Sequence, residues 1–122
     1  MAVKNNQETL TFQAGGDLSA LQFRFVAMAA DEQVDSAGNG EDAIGVLLND
    51  PAQAGRAAEV AVSGKTRVTA GGSVPAGSLV ASDAVGRAVV ATTGDAILGI
   101  ASTTGASGEV MSIVFNPRGY AA

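Results

Sequence analysis

Residues 60–68 read VAVSGKTRV, with Ser63 two residues before Lys65. A serine beside an unprotonated amine is one route to a nucleophilic hydroxyl, and this is the chain's nearest approach to such a pair. On a strand, positions two apart share a face, so an exposed polar face explains the spacing as well. Gly105-Ala106-Ser107-Gly108 is a second candidate. A phosphate-cradling loop needs Gly-Lys-Ser/Thr opening a helix, whereas here Glu109 and an apolar alternation follow. Asp31, Glu32 and Asp35, with Glu41 and Asp42 beyond three glycine-rich positions, are the densest acidic stretch. A calcium loop needs oxygen ligands at alternating positions closed by a bidentate carboxylate. This spacing fits none, and reads as a solvated acidic tip.

Composition removes most other chemistry. The 122 residues contain no histidine and no cysteine. That excludes a Ser-His-Asp or Cys-His constellation, a thiolate nucleophile and an ordinary zinc site. No catalytic residue, no metal ligand set and no cofactor is expected, and the chain is read as a non-enzyme. The net charge is −5 and the seven basic residues are scattered, although Lys65 and Arg67 lie close. A nucleic-acid binder needs a basic stripe to neutralise phosphates, so no nucleic-acid partner is expected. The apolar runs are far shorter than a membrane-spanning helix needs, and MAVKNNQETL has no apolar leader segment. No membrane partner is expected either.

The elements that would carry these residues are short strands. Sixteen glycines and 47% hydrophobic residues with only 4% aromatics point to a Val/Ile/Leu/Ala core with many tight turns. Strand patterns fall at Glu8–Gln13, Gln22–Met28, Ile44–Leu48, Ala58–Ser63, Lys65–Thr69, Ser78–Ser82, Arg87–Ala91, Ile97–Ala101 and Glu109–Phe115. Asp17 to Leu21 reads as a capped turn, Ala30 to Ser36 as a polar connection, and Gly64 as a strand break. Turn signals about every ten residues predict a small all-β barrel or sandwich. Residues 1–14 form an extended N-terminal arm, 15–119 the β-rich domain and 120–122 a tail.

One phrase occurs twice. DAIGVLLNDPAQAGRAAEVAV (42–62) and DAILGIASTTGASGEVMSIV (95–114) share Asp-Ala-Ile, a glycine before a β-branched residue, a polar loop and Glu-Val. Two such units would each bury one face against the other. Gly45 and Gly99 would then mark matched places where a strand bends or another backbone comes close.

The order of phrases also resembles the bacteriophage capsid cement (decoration) proteins. The matching stretches are a polar arm, Gly16-Asp17-Leu18-Ser19-Ala20 before Gln22-Phe23-Arg24-Phe25-Val26, and the acidic glycine-rich tip. They continue with Ala43-Ile44-Gly45-Val46-Leu47, Gly55 to Gly64, Val68 with Ala70-Gly71-Gly72, and Ala76-Gly77-Ser78-Leu79-Val80 before Gly86-Arg87-Ala88-Val89. Ile97-Leu98-Gly99-Ile100-Ala101 before Gly108-Glu109-Val110 completes the series. The resemblance implies a structural virion protein made in the host cytoplasm. It would sit on the outer surface of an icosahedral head, usually as a homotrimer, binding and stabilising major capsid protein subunits. An extended arm can add a strand to a partner's sheet edge, so Val3, Lys4, Asn5, Asn6, Gln7, Leu10 and Phe12 are the expected capsid-contacting residues. Two other readings stay open. Val74 to Val80 matches turn phrases of biotinyl and lipoyl carrier domains, suggesting a carrier or small-molecule-binding β-domain, but the next turn, Asp83 to Gly86, offers no lysine. The third reading is a cofactorless enzyme using carboxylates.

Overall fold

A computed structural model describes residues 7–121. Among them are nine strands and no helix, as the all-β reading expects. In chain order they are β1 (Glu8–Ala14), β2 (Phe25–Ala30), β3 (Gln33–Ser36), β4 (Gly45–Leu47), β5 (Ala57–Thr69), β6 (Leu79–Ser82), β7 (Ala88–Val90), β8 (Gly99–Ala101) and β9 (Val110–Phe115).

The strands form one hydrogen-bonded order, β1-β3-β2-β4-β5-β9-β8-β6-β7. An additional antiparallel pairing of β1 with β5 closes the first five into a ring. A parallel bridge between Ala70, just past β5, and Ala88 in β7 draws the other end round in the same way. The molecule is therefore two five-strand units sharing β5.

The two units have the same topology, strand for strand. The β1–β3 parallel pair (Ala14 with Val34) corresponds to Ala70 with Ala88. The β2–β3 hairpin corresponds to β6–β7, with Val26 opposite Ser36 and Val80 opposite Val90. The short strands β4 and β8 each lie between the first hairpin strand and the last strand of their unit. Turn chemistry repeats as well. Glu41 Oε1 accepts the Gly38 N–H (2.7 Å), and Asp95 Oδ2 accepts the Thr92 N–H (2.9 Å). The Asn49 side chain accepts the Glu59 N–H (3.0 Å) where Thr103 Oγ1 accepts the Ser112 N–H (2.9 Å).

Alternation along the strands supplies two cores. The interior of unit one holds Leu18, Val26, Val34, Leu47, Ala58 and Val60. The interior of unit two, including Val68, Val74, Val80, Leu98, Ile113 and Phe115, merges into one cluster with the outer wall of unit one, Phe25, Ala27 and Val46. Phe25 and Phe115 meet there with ring centroids 6.2 Å apart. With about 25 cal/mol for each Å² of apolar surface removed from water, burial along this seam holds the two units together.

Three sequence expectations change. Gly64 does not end a strand: β5 runs unbroken through it, Gly64 pairing with Phe115 at φ 89°. A left-handed glycine lets the strand turn from one unit into the other without losing its ladder. The polar stretch at 33–36 is a strand, because its single apolar residue, Val34, fills the unit-one core while Gln33 and Asp35 stay at the surface. The strand expected at 22–28 begins later, at Phe25, because Phe23 adopts φ 62° and leaves the ladder.

The doubled phrase is half structural. Gly45 and Gly99 are equivalent, each opening a three-residue strand. The Glu-Val pairs are not, because Val60 faces Leu47 while its counterpart facing Ala101 is Ile113. Glu109 instead matches Arg56, each lending its carbonyl to Ala70 or Ala14 respectively (both 2.8 Å).

Candidate interaction surface

Val3, Lys4, Asn5 and Asn6 lie outside the described residues. The rest of the expected contact set is positioned by β1. Pairing of β1 with β5 sets Leu10 opposite Val60 and Phe12 opposite Ala58. Phe12 is half-buried against the unit-one core, so it serves the fold. Leu10 remains 51% exposed. Gln7 is exposed at the root of the arm. The structure thus brings Leu10 and Phe12 onto one strand and builds residues 8–14, the second half of the expected arm, into the sheet.

Gln7 also lines a half-open cleft of about 430 Å³ with Phe23, Leu48, Lys65, Arg67 and Ser112. Thr66 lines it too; its side-chain oxygen is buried with no hydrogen-bond partner among the described residues. Lys65 and Arg67 are two apart on β5 and so share a face, and no carboxylate lines the cleft among the described residues. Sequence spacing alone places the two cations together; only the fold adds Phe23 and Leu48 from the other unit.

The acidic candidates disperse over a strand and separate turns. Asp35 Oδ1 accepts the Ser36 N–H (2.7 Å), and Glu41 closes its own turn. No group of three acidic residues able to hold a metal ion exists among the described residues. In the 105–108 loop, Glu109 Oε1 accepts the Ala106 N–H at 2.8 Å, so a carboxylate already occupies the place a phosphate would need. Asp83 takes the backbone N–H groups of Val85 and Arg87 and pairs with Arg87 Nε at 2.9 Å, which fixes the β6–β7 turn. Asp17 accepts from Ser19, and these side-chain and backbone hydrogen bonds hold its carboxyl below its ordinary value of 3.8. It is an exposed turn cap, as the sequence suggests.

Exposed apolar side chains are the surface that sequence reasoning missed. Leu79, Val110 and Val114 are 38, 50 and 42% exposed, and Ile100 lies between Leu79 and Val114 in the ladder. Leu79, Ile100 and Val114 form one row across the outer wall of unit two, with Val110 four residues along β9 on the same side, a kind of patch that marks interaction sites on soluble proteins. Strand alternation gives the signal for it, since Val110 and Val114 fall out of phase with Met111, Ile113 and Phe115.

The chain is thus an all-β, two-unit architecture with an exposed apolar row on one wall. Solved structures include one of the same architecture: the crystal structure of the N base of the head fiber gp8.5 in bacteriophage phi29. The match has a TM-score of 0.72 at 17% identity and covers 95% of this chain and 98% of that one. At that identity the likeness establishes the shared fold. No protein-family model and no curated protein sequence matches the chain.

Proposed function

We propose that the protein is a structural component of a phage head. In this reading it sits on the outer surface of an icosahedral shell as a homotrimer, binds the major capsid protein where subunits meet, and stabilises those contacts without catalysis. The observation that carries this is the fold shared along nearly the whole of both chains with a head fiber base. The order of phrases resembling the capsid cement proteins supports it independently. The physical logic is consistent: many copies on one lattice gain avidity from weak individual contacts, and an extended arm reaches a neighbouring sheet edge.

The test is co-sedimentation with purified expanded heads that lack the protein. Saturable pelleting is the expected result, and its loss on deleting residues 1–6 assigns the contact to the arm. The deletion must stop there because β1 begins at Glu8 and is part of the sheet. Pelleting that survives the deletion moves the contact onto the two-unit body. A protein that ignores heads overturns the head reading.

A second reading, a small-molecule-binding β-domain, is favoured by the Lys65–Arg67 cleft. Its expected ligand is anionic, and a thermal shift with a panel of small carboxylates and phosphate checks it.

A further inference from the structure

The two units share an architecture but do not bury the same parts of it. Within the chain, the tip of the β6–β7 hairpin grips the outer wall of unit one. Ser82 C=O accepts the Gly40 N–H (2.8 Å), Gly86 C=O accepts the Phe25 N–H (2.7 Å), and Val85 C=O accepts from Arg24 Nη1 (3.3 Å). Phe25, Val46 and Ala61 on that wall are all 0% exposed.

Both partners in this contact have unused counterparts. By ladder position, Phe25, Val46 and Ala61 correspond to Leu79, Ile100 and Val114, where Leu79 and Val114 stay 38 and 42% exposed. The gripping tip, Ser82 to Gly86, corresponds to the β2–β3 tip, Met28 to Glu32. Ser82 is 0% exposed while Met28 is 47% exposed. One molecule therefore has a filled socket, a partly open socket and a tip whose Met28 is exposed.

We infer that a second copy of the chain fills the open socket. The Met28–Glu32 tip of one copy seats on the Leu79–Ile100–Val114 wall of the next, repeating between molecules the contact that joins the units within one. The occupant is a second copy because this same chain already supplies both halves of that contact in a working form. The interface pairs two different surfaces, so it is heterologous and makes a closed ring when its rotation closes.

The new contact is not an exact repeat. The C-terminal tail already takes part of the socket: Ala121 C=O accepts the Gly94 N–H (2.9 Å), the role that Ser82 plays for Gly40, and Gly119 C=O accepts from Ile97 N–H (2.7 Å). In unit one, Glu32 C=O is held by the Gln13 N–H (2.7 Å). Seating therefore rests on burying Met28, Leu79 and Val114 rather than on those backbone bonds. The inference rests on the self-association in the proposed function and is independent of the head.

The experiment is light scattering on the full chain, with Met28→Asp as the tip variant and Val114→Asp as the wall variant. Circular dichroism checks folding, and Leu79→Ser is a second wall variant. The expected result is a wild-type oligomer, with each folded variant shifted toward the 12.0 kDa mass of one chain. An equimolar mixture of the tip and wall variants should recover a two-chain species, because one intact tip and one intact wall remain. An oligomer sensitive to the wall variants and indifferent to Met28→Asp overturns the tip-to-wall contact in favour of wall against wall. An oligomer indifferent to all three overturns both surfaces while leaving self-association in place. A wild-type monomer at every concentration reached overturns self-association itself, and pelleting with heads then judges the head reading separately.

Discussion

Gly45 and Gly99 occupy the same position in the two units, each opening a three-residue strand that lies against a neighbouring backbone. A Cβ built on Gly45 would land on the carbonyl oxygen of Ala61, and one on Gly99 on the carbonyl oxygen of Val114. Each glycine is required by a close backbone approach rather than by a left-handed turn. Gly45→Ala and Gly99→Ala are each expected to cost about 3 kcal/mol, the upper range for overpacking a tight site. Urea denaturation of the two variants checks this, and equal losses would confirm that the two positions carry equal constraint.

Two residues in unit one hold left-handed backbone without being glycine. Phe23 (φ 62°) and Glu32 (φ 59°) stand where unit two has Gly77 (φ 89°) and Gly86 (φ 82°). A left-handed L-residue costs about 1–2 kcal/mol, partly offset by the greater entropy glycine loses on folding. Glu32→Gly is therefore expected to stabilise by about 0.5 kcal/mol in urea denaturation. Gly86→Ala should destabilise by more, because its Cβ would also approach the Phe25 carbonyl oxygen at 2.7 Å.

Thr66 sits where unit one has Leu10, and its hydroxyl is buried without a partner among the described residues. An unsatisfied buried polar group costs about 1–3 kcal/mol. Thr66→Val keeps the shape and the β-branch, so a gain of about 1 kcal/mol is expected, read as a higher urea midpoint at unchanged slope. A loss of stability would mean the hydroxyl has a partner in solution.

The Asp17 carboxyl is lowered in the folded chain by the Ser19 hydrogen bonds, against 3.8 unperturbed. A depressed folded value means that the unfolded chain binds the proton more readily in that range. Its stabilisation is then present above 3.8 and fades as pH falls through the lowered folded value. Asp17→Ala should be less stable than wild type at neutral pH, and the gap should narrow as pH falls below 3.8. Thermal melts across that range check the sign.

Much of the fold was legible in the chain. Glycine-punctuated alternation located all the strands but Gln33–Ser36, and the absence of histidine and cysteine narrowed the chemistry before any geometry was known. The glycine of the doubled phrase announced the repeat because close backbone approach admits only glycine, a constraint local enough to mark the sequence, whereas its Asp-Ala-Ile is offset by one, Asp95 matching Glu41 rather than Asp42. The Glu-Val half of the phrase misled, because Val60 fills the unit-one core while Val110 is exposed, so the same two residues stand at different ladder positions.

The tertiary structure alone decided three things. It carried β5 through Gly64 into both units, since a left-handed glycine reads identically whether the strand ends or turns. It placed the second half of the arm in the sheet, since β1 alternates in the same way whether its partner is its own chain or another. It buried the Phe25 wall and bared the equivalent Leu79 wall. Both rows are apolar, and period-two alternation fixes which side of a strand a residue faces, but only packing of one unit on the other determines which of two like faces is covered.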